Sequence, residues 1–253
     1  MAAYRAGWQY PGVTSARRII VALDFPTVDD AEAVVERLGD AGQSYKLGLE
    51  LLTAAGPALA TRLAAEGKDV FLDLKLFEIP TSVAGAVRAA GRLGATMVTV
   101  HAMGGTRIMR AAVEAAAEFP RLRVIALTVV TSLTDADLAE IGLSATTEEQ
   151  VIRLARLARR AGCHGVVASP RDAALLRAEL GPDPLIVTPG VMLRAELARG
   201  TATEHVRPAD PAAAIRAGAT HVVIGRSLTR APDPAAVLAH VREELRHTGS
   251  PLS

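Results

Sequence analysis

Eight short apolar runs, each followed by a longer stretch with helical spacing, constrain this chain more than any other feature. The runs are RIIVALD (18–24), SYKLGL (44–49), DVFLDLK (69–75), MVTVHA (97–102), VIALTVV (124–130), GVVAS (165–169), LIVTPG (185–190) and HVVIGR (221–226). They are almost continuously apolar, as parallel strands covered on both faces are. The intervening segments are rich in Ala, Leu and Arg, with apolar residues three and four apart. VDDAEAVVERLGDAG and EEQVIRLARLARRAG are the clearest, each stopped by glycine. Roughly eight βα units in a chain of this length predict an α/β fold, a single (β/α)8 TIM barrel with its active site at the C-terminal ends of the strands. A doubly wound open sheet is the competing arrangement. It calls for a glycine-rich fingerprint after the first strand, and Asp24-Phe25-Pro26-Thr27 is not one.

No low-complexity linker divides the chain, so the expected organisation is an irregular N-terminal arm (1–16), one barrel (17–246) and a disordered tail (247–253). A net charge of +1 gives no bulk attraction to nucleic acid or to an anionic membrane. The single cysteine, Cys163, rules out an intrachain disulfide and a cysteine-based zinc site, and it reads as a packing residue. No apolar run approaches the ~18 residues of a membrane span and no signal-peptide core is visible, so a soluble cytoplasmic protein is expected.

Arginine and lysine serve almost equally on a solvated surface, yet of 28 basic residues only Lys46, Lys68 and Lys75 are lysines. A lysine that persists in such a chain marks a place where a compact ammonium is needed. Lys68 precedes a strand and reads as surface; Lys46 and Lys75 lie within strands.

Polar residues gather where the strands end: Asp24, Lys46, Asp73 with Lys75, His101, Thr131-Ser132, Ser169, Thr188-Pro189-Gly190 and Gly225-Arg226. Asp73 and Lys75 are two apart, which on a regular strand places them on one face. Lys46 on the neighbouring strand can lie beside Asp73, and Glu78 follows just beyond. The pattern is ammonium, carboxylate, ammonium, carboxylate, each favouring the charged form of its neighbour. Such a chain holds Lys75 as a fixed proton donor among fixed charges, suited to protonating a carbanion; the alternative is a structural ion-pair network at the barrel rim. On the other side, VTPGV and VIGRS follow strands seven and eight, where loops commonly form phosphate sites. Gly190 and Gly225 allow close backbone approach there, and Arg226 adds an anion partner.

With these residues in place, the chain resembles the orotidine 5′-monophosphate decarboxylase family from about Arg18 to Pro234. DLKLFEIP is similar to the family's Asp-x-Lys-x-x-Asp-Ile-Pro, and the likeness continues through VALDFP, YKLGLELL, TVHAMGG, LTVVTSL, GVVASP, VTPGV and VIGRS. Related phosphosugar decarboxylases and synthases share the barrel and a similar motif but lack the LTVVTSL and VTPGV context. The resemblance implies decarboxylation of orotidine 5′-monophosphate to UMP by direct C6 protonation, with no metal and no organic cofactor. It implies that Asp24 and Lys46 hold the ribose hydroxyls, Asp73 sits against the substrate carboxylate and Lys75 protonates C6. Thr131 and Ser132 would bond the base, and Pro189, Gly190, Gly225 and Arg226 the phosphate. It also implies a homodimer in which Glu78 and Ser82 reach the partner's site.

The chain departs from the family pattern in four places. Glu78 stands for Asp, Thr81-Ser82 for Asn-Thr, Val191-Met192-Leu193 for Ile-Arg-Pro, and Glu204-His205 for Asp-Gln. Glu78 adds one methylene, about 1.5 Å of reach, and misplacement by about 1 Å can cost a hundredfold in rate. His205 or Arg194 would have to replace the lost phosphate contacts, under a lid expected over 191–207. A divergent working decarboxylase is one reading. A paralogue acting on another pyrimidine-like nucleotide, or a nucleotide-binding or self-resistance protein with altered activity, is the other.

Overall fold

The computed structural model describes residues 16–198 and 209–248. Eight parallel strands close into a barrel in sequence order: β1 (Ile19–Leu23), β2 (Ser44–Leu47), β3 (Asp69–Leu76), β4 (Met97–His101), β5 (Arg123–Leu127), β6 (Gly165–Val167), β7 (Leu185–Thr188) and β8 (His221–Ile224). Each expected apolar run overlaps one of them; β3 extends one residue past its run, to Leu76, and β5 begins one residue before its run, at Arg123. The fold is the (β/α)8 barrel, with helices between successive strands.

The strand period of two divides the core. Ile20, Ala22, Phe71, Met97, Ile125, Leu127, Val167, Leu185, Val187 and Val223 form one cluster, which fills the barrel. Their immediate neighbours, among them Ile19, Val21, Leu23, Val70, Leu72, Val98, Val124 and Val222, belong to the larger cluster shared with the helices. Each fully buried aliphatic side chain contributes about 1.5–3 kcal/mol relative to exposure. Most strands are therefore apolar on both faces, β2 with Ser44 and Lys46 on its inner face being the exception, which is why the sequence runs show little alternation.

The two clearest helical patterns form Val28–Leu38 and Thr147–Ala161. Thr146 and Glu149 make a reciprocal capping box at the start of the second, and Gly162 ends it with a left-handed φ of 85°. Charges at the N-terminal ends of the strands neutralise one another: Asp69 pairs with Arg17 at 2.5 Å and with Arg121 at 3.1 Å. Cys163 is buried. Residues 1–15 of the expected arm and 249–253 of the expected tail lie outside the described residues; His247 and Thr248 close the last helix, Pro234–Arg246. Among the described residues no helix is long and apolar enough to cross a membrane.

Candidate active site

Strand β3 breaks its own regularity where the polar residues begin. It pairs with β4 through Leu72 and Val98, then through Leu76 and Val100, so three residues on β3 face one on β4. The chain accommodates this bulge at Lys75, whose φ is 49°, the one positive φ at a non-glycine position among the described residues. A left-handed conformation at a residue with a side chain costs about 1–3 kcal/mol and persists where the surroundings enforce it. Simple alternation, the basis for expecting Asp73 and Lys75 on one face, therefore does not hold. The two residues still meet, because the bulge turns Lys75 back: its Nζ lies 2.9 Å from Oδ2 of Asp73.

Lys46 extends the cluster from β2. Its ammonium is 3.6 Å from Asp73 Oδ2 and 2.7 Å from Asp24 Oδ1, at the end of β1. The Lys46 side chain is only 9% exposed, whereas that of Asp24 is half exposed. A buried ammonium of this kind needs its carboxylates. Gly48 makes the Asp24–Lys46 contact possible: a Cβ there would stand 2.7 Å from Asp24 Oδ1 and 3.2 Å from Lys46 Nζ.

The Thr99 hydroxyl lies beneath Asp73. It accepts the Lys75 N–H at 2.8 Å and donates to Asp73 Oδ1 at 3.1 Å. His101, next along the inner face of β4, accepts the Met103 N–H on Nδ1 at 3.3 Å. Burial, and secondarily the Lys75 ammonium, push its pKa below the usual imidazole range. The neutral ring thus carries its proton on Nε2. Its ring centroid is 5.7 Å from that of Phe77.

Glu78 does not join this cluster within the chain. It is fully exposed, and the Ser82 hydroxyl, followed by the Ile79 N–H, holds its carboxyl below the usual range. Phe77 and Ile79 on either side are each 59% exposed, and Leu49, which opens the helix Leu49–Ala55 after β2, is 53% exposed.

Across the mouth, Gly190 has a φ of 79°, a conformation that favours glycine. Gly225 begins the short turn Arg226–Thr229 and accepts the N–H groups of Leu228 and Thr229. Arg226 is exposed, with no ion-pair partner among the described residues. Glu196 joins the two loops: its carboxylate accepts the Ser227 hydroxyl and, at 3.3 Å, the Leu193 N–H. Arg194, expected as a substitute phosphate ligand, instead lies 3.8 Å from both Asp210 and Glu244. Val191 bridges to Ala209, fixing the two ends of the segment expected as a lid. Within that segment Glu204 and His205 lie outside the described residues. Thr131 is buried and Ser132 exposed after β5, while Thr188 is buried and donates to the His221 carbonyl, a structural role. Among the described residues no three His, Cys, Asp or Glu side chains gather as metal ligands.

Sequence reasoning missed Thr99 and Gly48. A threonine in MVTVHA reads as an ordinary strand former, although its place between Met97 and His101 on the inner face was a usable signal.

A closed (β/α)8 barrel whose C-terminal mouth holds two ammoniums around one carboxylate is a barrel enzyme equipped for proton transfer. Residues 17–241 match the Orotidine 5'-phosphate decarboxylase / HUMPS family. The chain belongs to that family. It is 49% identical to an orotidine 5'-phosphate decarboxylase of Anaeromyxobacter dehalogenans over 87% of this chain and 95% of that one. It is 48% identical to the enzyme of that name from Halorhodospira halophila, over 92% and 97%. A crystal structure of orotidine 5'-phosphate decarboxylase from Lactobacillus acidophilus superposes with a TM-score of 0.79 at 32% identity, covering 90% of this chain and 98% of that one.

Proposed function

We propose that the protein is a carbon–carbon lyase that decarboxylates orotidine 5′-monophosphate to UMP, in the cytoplasm, as the last step of de novo pyrimidine synthesis. The observation that carries this reading is the Lys46–Asp73–Lys75 cluster, with both ammoniums on one carboxylate oxygen.

In this reading the substrate carboxylate lies against Asp73. Two carboxylates 4 Å apart repel by about 4 kcal/mol at an effective dielectric of 20. That repulsion disappears as neutral carbon dioxide leaves, so it acts on the ground state more than on the transition state. The C6–carboxylate bond breaks with its electron pair left on C6. The Lys75 ammonium supplies the proton to C6 and is recharged from water. Asp24 and Lys46 hold the ribose, Thr131 and Ser132 the base, and Pro189, Gly190, Gly225 and Arg226 the phosphate, with His205 as a further substrate-binding residue.

The working unit is a homodimer. Phe77 and Ile79 are exposed on either side of an exposed Glu78, and Leu49 is exposed at the end of β2, apolar surface suited to burial against a second copy. Glu78 and Ser82 would then reach the partner's Lys75. The test is loss of substrate absorbance with purified protein, with Lys75→Ala as the blank. Turnover confined to the native protein supports the reading; equal rates, or none in either, reject it.

A further inference from the structure

Thr99 is the single β4 residue opposite the bulge formed by Asp73, Leu74 and Lys75. We propose that Thr99 is a positioning residue for the proton-transfer step, holding the Lys75 backbone in its left-handed conformation and fixing which oxygen of Asp73 faces the ammoniums. The catalytic part of this proposal rests on the decarboxylase reading; the geometric part does not.

Thr99 has no exposed surface. The bulge takes the Lys75 N–H out of the regular ladder, and a buried N–H without an acceptor is costly. The Thr99 hydroxyl provides the acceptor at 2.8 Å. A hydroxyl also has one proton to give, and this one goes to Asp73 Oδ1 at 3.1 Å. That leaves Oδ2 for Lys75 and Lys46. The torsion that turns a carboxylate is broad and soft, so without the hydroxyl Asp73 is free to swing Oδ2 away from the two ammoniums. One oxygen atom thus ties the main chain of the proton donor to the side chain that orients it.

A packing role and a positioning role predict opposite orders of variants. Thr99→Val keeps the shape and loses the hydroxyl; Thr99→Ser keeps the hydroxyl and loses a methyl group. Positioning requires Ser to work and Val to fail. The expected kcat of Thr99→Val is about a hundredfold below native, the scale of a 1 Å misplacement. UMP affinity by calorimetry should stay within about threefold, because the ribose and phosphate contacts remain. Thr99→Ser should recover most of the lost kcat.

A second readout needs no turnover. Backbone amide exchange at Lys75, followed by NMR, should accelerate in Thr99→Val and stay native in Thr99→Ser. With three lysines in the chain, lysine-selective labelling isolates that amide. Thr99→Ala serves in place of Val if the latter folds poorly, with the same expectation. Native exchange at Lys75 together with native kcat in Thr99→Val overturns the proposal, as does Thr99→Ser performing worse than Thr99→Val. Absence of turnover in the native protein would reject the decarboxylase reading while the exchange rates still decide the role of Thr99.

Discussion

Lys75 Nζ lies 2.9 Å from Asp73 Oδ2, and the contact is made by a strand that has stopped alternating. In the proposed reaction this carboxylate repels the substrate's and steers the proton donor. Asp73→Asn should therefore lower kcat by at least about a thousandfold, while KM stays level or falls as the repulsion is relieved. Steady-state kinetics decide it; an unchanged kcat with a raised KM would mean that Asp73 only binds.

The exposed Glu78 provides a test of the proposed shared site. Lys75→Ala and Glu78→Ala homodimers should each be nearly inactive. Mixed and reassociated in equal amounts, they should recover about a quarter of native activity, because half of the dimers then carry one site free of both lesions. No recovery, with exchange of subunits verified by mass, would place Glu78 in its own chain's site.

Two histidines, buried His221 and partly buried His164, set the acid limit of stability. Burial pushes His164 and His221 down to about 4, against an ordinary imidazole value of about 6.5 when unfolded. Over that interval the unfolded chain binds more protons than the native one. Stability is therefore complete above pH 6.5 and is lost as pH falls toward 4, by up to about 3 kcal/mol for each ring. Urea unfolding at pH 7, 6, 5 and 4.5 measures the slope, and His164→Asn should make it shallower. A flat profile would contradict the burial of these rings.

Gly48 makes room for the Asp24–Lys46 contact. Gly48→Ala should push Asp24 off Lys46 and weaken UMP binding by about tenfold, or 1.4 kcal/mol, and should also lower thermal stability, because the buried Lys46 ammonium loses its nearer carboxylate. Calorimetry with UMP reads this directly; unchanged affinity would remove Asp24 from the binding site.

The barrel was legible because each strand is buried on both faces and each helix on one, so composition alone marks the alternation. Lys46, Asp73 and Lys75 stood out because lysine is so scarce in the chain. The bulge was not legible: pairing between β3 and β4 depends on register, and nothing within DLKLFE states that three residues will face one. The surroundings of Arg194 were not legible for a similar reason. Its acidic neighbours, Asp210 and Glu244, are distant in sequence and meet it only once the barrel has closed. Glu78 was read correctly as an acid, but its direction away from its own Lys75 is a property of the folded turn.

The Val191–Ala209 bridge has an evolutionary consequence. It ties the two ends of the intervening segment to each other at the rim. Closing a longer loop across a fixed stem costs only about 0.6 kcal/mol per doubling of length. A change of length between these two positions therefore carries only a small chain-closure cost, whereas exchange of Met192 or Glu196, which are packed or bonded against the barrel, costs more. Selectivity at the proposed phosphate end can thus drift through changes of loop length, apart from the proton-transfer cluster across the mouth.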